Sequence, residues 1–472
     1  MSRTQTDSGS LTATATATAT ARGQLAQCND GGMLPVARTS WRETGHQRAI
    51  PILLVLATVF QSPRAFLYDA AVYWNSAVDV SRGATSDVYK DGLLQLRGVW
   101  TPLLYLPAAL AARVFGVKAA GFFVLLENGV LISAIGCFLL PRLVGLWRPT
   151  TPLVTWLSAS MTWFFLVRYA PYPLTDLWAM ALMLIAVLLL ARGTLWALVG
   201  GGALCGVAVN VRPAYLLTVA GLVLAVLGLT RLRGISFPAG IAVALVPQLL
   251  LNVMHGDGSQ PWPPMTSELT QLQGYYASYI VRYDTVAYTP VASPRLFFCD
   301  PQMARALAGQ TPHSSMDMLK AFAHHPLEAG VLLAEKLGAV VHWPVSAPYY
   351  ASAAVADVLF SLLVTAVAVV GFVSLLTLAG RSRPSLPQLA VGVLWAGTIV
   401  TITTSGPETR FALPLVLLGV IGSAALALQP CLGKRAAVAA LVLTAVVFGL
   451  GLAGLSNPAP AGEASPSICS TQ

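Results

Sequence analysis

The sequence predicts an all-α polytopic membrane protein with about eleven transmembrane helices and further helices lying at the outer membrane surface. Three observations carry this prediction. The 472 residues are 56% hydrophobic, only 10% charged, with a mean hydropathy of +0.69, whereas charged side chains make up about a quarter of an ordinary soluble domain. Long apolar stretches recur from Ile50 to Leu455, each comparable with the roughly 20 residues a helix needs to cross the hydrocarbon core. The alternation over about 10 residues that marks a membrane β-barrel is missing from them.

Residues 1–49 come first and stand apart. They contain the low-complexity run TATATATATA at 12–21 and few apolar residues, so a disordered tail is expected. No apolar core follows its charged start, as a signal peptide would require. Arg38, Arg42 and Arg48 precede the first apolar run and would keep the tail in the cytoplasm.

Apolar runs between Pro, Gly and charged punctuation fall at 50–67, 99–115, 119–140, 152–167, 174–191, 195–209, 213–230, 235–253, 355–378, 386–404, 411–428 and 436–455. If all twelve crossed from a cytoplasmic start, the pairs Arg142/Arg148, Arg231/Arg233, Arg381/Arg383 and Lys434/Arg435 could not all face inside. Run 99–115 is short, holds Pro102 and Pro107 and ends in Arg113 and Lys118. Assigned to the outer surface as an interfacial helix, it leaves eleven crossings. Inside loops then hold Arg142, Arg148, Arg192, Arg231, Arg233, Arg381, Arg383, Lys434 and Arg435, against Arg168, Arg212 and Arg410 in the short outside loops, as the positive-inside rule expects.

This topology divides the chain into the 1–49 tail, an N-terminal transmembrane module 50–254 with an outer loop 62–118, a long outer loop 255–354 with interfacial helices, C-terminal transmembrane helices 355–455 and a short outer tail 456–472. The formal charge of +9 follows from the inside loops, and without a basic tract interleaved with aromatics no nucleic acid is expected as a partner. Acidic residues concentrate outside: Asp69, Asp79, Asp87 and Asp91 in the first outer loop, and Asp257, Glu268, Asp284, Asp300, Asp317, Glu328 and Glu335 in the second. A transporter more often places ionisable groups near the bilayer midplane. Here the acid deep within a run is Glu127, beside Asn128, which serves either a transport role or an interhelical hydrogen bond.

The first outer loop reads LYDAAVYWNSAVDVSRGATSDVYKDGLLQLRGVWTPLLYLPAALAA. It resembles the corresponding loop of the C-fold (GT-C) glycosyltransferases, integral membrane enzymes using polyprenyl-phosphate sugars. The matching positions are Asp69 at the end of the first helix, the pair Tyr73/Trp74, Gly83, Tyr89 and the run Thr101-Pro102-Leu103-Leu104-Tyr105, where Thr101 and a single Pro102 replace an aromatic and a double proline. Further similar segments follow in order: Tyr172-Pro173-Leu174-Thr175-Asp176, Asn210-Val211-Arg212-Pro213, His325-Pro326 with Lys336 beyond it, and Glu408-Thr409-Arg410-Phe411-Ala412-Leu413-Pro414. Together they cover about 50–428.

The resemblance implies an inverting transfer of a sugar, with mannose the family-weighted choice, from a lipid-linked donor to an acceptor hydroxyl on an envelope glycan, lipid or protein. It implies no cofactor besides that donor substrate, and a cell-membrane enzyme acting at its outer face among membrane lipids. Such a transfer needs a base for the acceptor proton and cations for the departing phosphate. The resemblance makes Asp69 the base; read alone, Asp69 is equally an N-cap of the following helix, and Asp79 is the fallback. Arg212 and Arg410, at outer helix ends, bind the phosphate or reach ordinary lipid headgroups. Asp176 shapes the sugar pocket or pairs with Arg168. Tyr73, Trp74 and Lys336 complete the candidate substrate contacts, Lys336 lying with His342 on an amphipathic stretch 316–343 that contacts the donor or covers the core.

Tyr275, Tyr276, Tyr279, Tyr283 and Tyr288 suit an interfacial aromatic belt better than a sugar-stacking surface. Adjacent His324 and His325 point to different helix faces, and Cys28, Cys137, Cys205, Cys299, Cys431 and Cys469 show no metal-site spacing, so no metal is expected. Cys299 and Cys469 share the oxidising side, where a disulfide stands against two unpaired thiols; the unpaired thiols are the preferred reading, since nothing in the sequence fixes their distance. A lipid or solute transporter and a non-catalytic lipid-sugar binder of the same fold remain as alternatives.

Overall fold

The computed structural model describes residues 45–84, 97–255, 258–263, 267–286, 295–307, 312, 314–349, 355–380, 383–428, 434–459 and 469. The expected disorder of the N-terminal tail falls outside the described residues for 1–44, whereas 45–49 are helical and open the first helix; Asp87, Tyr89, Asp91, Asp257, Tyr288 and Arg381 also fall outside the described residues.

A helix stands in each apolar run. In chain order these begin with α1 (Gly45–Val59), α2 (Tyr68–Ser81), α3 (Thr101–Leu104), α4 (Leu106–Phe115) and α5 (Ala120–Ala134), which continues through a π-helical turn into α6 (Leu140–Val144). Then come α7 (Pro152–Leu166), α8 (Thr175–Leu190), α9 (Leu195–Val211), α10 (Leu216–Thr230) and α11 (Ser236–His255). Helix ends follow local chemistry: the Thr151 and Thr194 hydroxyls accept from Val154 and Ala197 backbone N–H, each relieving an orphan donor of a first turn.

Among the described residues, six helical stretches are long and apolar enough to cross a membrane: Val117–Val144, Pro213–His255, Val355–Ala379, Leu386–Thr404, Thr409–Ala427 and Lys434–Gly454. Ala49–Val59, Thr175–Leu190 and Leu195–Val211 are apolar but shorter, as is Leu106–Phe115. The 43-residue stretch is interrupted at Arg231, whose positive φ of 53° ends α10. Its two halves then take different partners, α10 packing on α17 (Leu386–Thr404) and α11 on α9. Run 99–115 splits at Tyr105 into α3 and α4. With ten residues, α4 spans roughly 15 Å, about half the hydrocarbon core. Ala108, Ala109 and Ala112 are buried while Leu110, Val114 and Phe115 are exposed, so one face of the helix packs on the bundle and an apolar face points away from it.

The core runs along α8 and α18 (Leu413–Leu428), whose side chains are buried nearly all round. Small residues let backbones meet elsewhere in the bundle. A Cβ at Gly202 would come within 1.9 Å of the Phe237 carbonyl oxygen, and one at Gly240 within 2.1 Å of that of Val199, which joins α9 to α11. Gly371, Gly419 and Gly422 make the same kind of contact between α16 (Val355–Ala379) and α18.

Segment 255–354 departs from the all-helical expectation. After α12 (Ser267–Tyr279) an antiparallel hairpin pairs β1 (Ile280–Thr285) with β2 (Arg295–Cys299). Their sequences IVRYDT and RLFFC are rich in β-branched and aromatic residues, which favour strands but are too short to stand out beside long apolar helices. The stretch 316–343 is likewise two helices, α14 (Ser315–His324) and α15 (Pro326–Val341), broken before Pro326. Preceding them is α13 (Pro301–Ala306), and after α18 the chain ends in α19 (Lys434–Gly454).

Tyr275, Tyr276 and Tyr279 form no interfacial belt. They are buried together with Phe297, Cys299 and Cys469 in a small separate core. Cys299 and Cys469 form a disulfide across a sequence separation of 170. Residues of the C-terminal tail run along β2, where Cys299 N–H donates to the Asn457 carbonyl and Ala459 N–H to that of Phe297.

Candidate active site

Asp69 stands in the first turn of α2. The N-cap of that helix is Leu67, which makes no side-chain cap, so Asp69 is released from the capping role. Tyr68 takes a positive φ of 48°, a conformation costing a non-glycine residue about 1 kcal/mol or more. Two tyrosines hold the turn there: the Tyr349 hydroxyl donates to the Leu67 carbonyl and the Tyr68 hydroxyl to that of Val286, both at 3.1 Å.

The side chain thus set points at Arg410, 341 residues away in sequence. Arg410 Nη2 donates to Asp69 Oδ2 at 2.6 Å and to Glu408 Oε1 at 3.0 Å, while its Nε faces Glu408 Oε2. Asp176 enters from the first turn of α8, with Oδ1 at 2.8 Å from Arg212 Nη2 and Oδ2 at 3.9 Å from Arg410 Nη1. The Arg212 guanidinium lies 4.8 Å from the centre of the Phe411 ring, a cation–π contact. Asp69, Asp176, Arg212 and Arg410, nominated from four separate motifs, therefore form one cluster. A small recess opens beside it, lined by Asp176, Arg212, Tyr215, Thr398, Arg410 and Phe411 among others.

Two members of the cluster are not among the expected contacts. Glu408 is buried against Arg410, and its place inside the last motif was the available signal. Arg97 had none, being a lone cation just before the Pro-containing run. Its Nε donates to the Tyr73 hydroxyl at 2.7 Å, and its Nη2 lies 3.8 Å from Asp69 Oδ2. Tyr73 thus reaches the site through Arg97. Burial pushes the Asp69 carboxyl up, but the charges of Arg410, Arg97 and Arg212 outweigh it and hold Asp69 well below the ordinary carboxylate range.

A buried polar ladder seats Arg97. Gly98 N–H donates to the Asn210 carbonyl, Trp100 N–H to Asn210 Oδ1 and Val99 N–H to Gln248 Oε1, at 2.8, 3.1 and 2.9 Å. Asn210 Nδ2 also donates to Gln248 Oε1, and Gln248 Nε2 to Asn252 Oδ1. Only glycine fits at 98, since a Cβ there would lie 2.0 Å from the Asn210 side chain.

Other expected site residues go elsewhere. Trp74 packs into an apolar cluster with Phe66, Tyr105 and alanines of α4, so it is a core residue. Lys336 is fully buried and donates to the Ala277 and Ser405 carbonyls; burial lowers its pKa to about 7. Instead of meeting substrate it braces the turn that carries Arg410. Tyr283 N–H, donating to the Pro407 carbonyl, and Trp343 Nε1, donating to that of Thr409, brace the same turn. Arg168 stacks on Phe360 and leaves Asp176 to Arg212. Asp79, ten residues beyond Asp69 on α2, lies about 15 Å along the helix and outside the cluster. Glu127 Oε2 accepts from Ala108 N–H in the first turn of α4, and Asn128 ties Tyr105 to the Ala170 and Tyr172 carbonyls. Both are structural ties.

No protein-family model matches the sequence, and comparison with curated proteins finds no match. Among solved structures, the chain is similar to the Archaeoglobus fulgidus oligosaccharyltransferase in its apo form, at 14% sequence identity and a TM-score of 0.47. The match covers 90% of this chain and 57% of that one, so the chain spans little more than half of that protein's length.

Proposed function

We propose that this chain is a membrane glycosyltransferase that moves a sugar from a polyprenyl-phosphate donor to an acceptor hydroxyl of the cell envelope. The observation carrying this reading is the meeting of Asp69 with Arg410, Arg97, Arg212 and Asp176 at one end of the helical bundle. It joins a carboxylate that keeps 39% side-chain exposure to guanidiniums suited to a phosphate.

Asp69 removes the proton of the acceptor hydroxyl, whose oxygen attacks the anomeric carbon as the bond from that carbon to the phosphate oxygen breaks. The sugar changes carriers with inversion, and the lipid phosphate leaves with the electron pair, its charge met by Arg410 or Arg212. A polyprenyl chain has no reason to leave the bilayer, so the donor approaches laterally. The Cys299–Cys469 disulfide, on the hairpin that also braces the turn bearing Arg410, supports a site on the oxidising, outer side of the membrane, as does the basic composition of the loops at the other end.

The test is transfer of radiolabelled sugar, mannose first, from polyprenyl-phosphate donors into membrane extracts. Wild type is compared with Asp69→Asn at matched expression. We expect wild-type turnover and a loss of at least about 100-fold in the variant, the contribution typical of a general base. Equal turnover would remove Asp69 as the base. Donor binding without any wild-type turnover would make the chain a non-catalytic lipid-sugar binder.

A further inference from the structure

The charges of the cluster cancel. Among the described residues Arg97, Arg212 and Arg410 face Asp69, Asp176 and Glu408, so each of these guanidiniums already has a carboxylate beside it that an arriving phosphate can replace. They are not equally replaceable. Asp176 is held by Arg212 with 3% of its side chain exposed, and Glu408 is held by Arg410 with 6% exposed, whereas Asp69 keeps 39% and its neighbour Arg97 20%. One oxygen of Asp69 also has two guanidiniums converging on it, Arg410 Nη2 at 2.6 Å and Arg97 Nη2 at 3.8 Å. Two such forks aimed at one anionic oxygen are the arrangement that binds a phosphate oxygen, with Asp69 Oδ2 standing in for it.

On the proposed function, we infer that Arg97 and Arg410 are the two arms of a clamp for a lipid phosphate, and that Asp69 occupies the clamp until the phosphate displaces it. Arg97 is thereby a substrate-binding residue. The Tyr73 hydroxyl holds its Nε and the Asn210–Gln248 ladder holds its backbone neighbours, with Nη2 facing Asp69. Displacement also gives the order of events. The carboxylate, freed from two cations, regains its affinity for a proton when the donor phosphate is in place.

The experiment measures binding of radiolabelled polyprenyl phosphate to the full chain in nanodiscs. Because Asp69 competes with the ligand, Asp69→Asn should bind it about 5- to 10-fold more tightly than wild type while losing turnover. Arg97→Gln should bind about 5- to 10-fold more weakly, with Arg97→Lys recovering part of the loss. In the double variant the gain from Asp69→Asn should shrink, the signature of coupled sites. Asp79→Asn, removing an equal charge farther along the same helix, should leave binding unchanged, which separates displacement from a general change in field. Gel filtration and melting of each variant exclude misfolding as the cause.

Inorganic phosphate should compete only at far higher concentration; competition at equal concentration would overturn the lipid as its source. Wild type that transfers sugar while Asp69→Asn binds polyprenyl phosphate no more tightly overturns the clamp alone. Wild type that neither binds the lipid phosphate nor transfers sugar overturns the proposed function, and the clamp with it.

Discussion

Asp69 owes its properties to three arginines that no local rule places near it. Their charges outweigh its burial and keep the carboxyl ionised well below the ordinary Asp range, which lies near pH 4. Removing a cation raises a neighbouring carboxylate's pKa, so Arg97→Gln should move the acid limb of the kcat/KM profile upward by roughly half to one pH unit. A pH–rate profile of both proteins checks this; an unmoved limb would mean that Arg97 does not act on the titrating group. At the same scale the sequence was legible for Asp69, Asp176, Arg212 and Arg410, each set in a motif beside a helix end. It was silent for Arg97, whose partners Tyr73 and Asp69 lie across an intervening loop. For Lys336 it misled, because a lysine on an amphipathic stretch reads as surface while the fold buries it against two carbonyls.

Helices present these residues because of where they begin. Asp176 lies in the first turn of α8 and Arg410 directly precedes α18, so the two most buried helices of the bundle start at the site, and the positive end of the α8 dipole favours the Asp176 carboxylate. Between α9 and α11, the ladder of Asn210, Gln248 and Asn252 fixes the chain around Arg97 and buries every link. Gln248→Leu would strand the Val99 N–H and the Asn210 amide. Each stranded group costs about 1–3 kcal/mol, so melting should fall by at least about 2–4 °C, with a rise in KM from the loosened Arg97. Thermal melting in detergent checks the first part, and an unchanged melting temperature would mean that the ladder carries no stability. Gln248 and Asn252 were invisible as sequence features because isolated amides in an apolar run show no periodicity.

The molecule as a whole is a helical bundle with a small mixed α/β segment seated at the site end. That segment holds the turn bearing Arg410 through Lys336, Tyr283 and Trp343, and the disulfide pins the C-terminal tail to its hairpin. Alkylation of the denatured protein should leave Cys299 and Cys469 unlabelled until reductant is added; full labelling without reductant would remove the bond. Cys469→Ser should lower the melting temperature, within a ceiling of about 5 kcal/mol for a loop of this length. The sequence by itself determined the membrane-protein class, the positions of the apolar helices to within a few residues for all but the first, which ends at Val59 and not at 67, and the motifs holding most of the cluster. Those features depend on composition and on neighbours within a helical turn or two. Only the tertiary structure decided that Asp69 meets Arg410, that Arg97 and Glu408 join them, that Cys299 bonds Cys469 and that the 255–354 segment contains a hairpin, because each depends on how distant elements pack and no local periodicity encodes it.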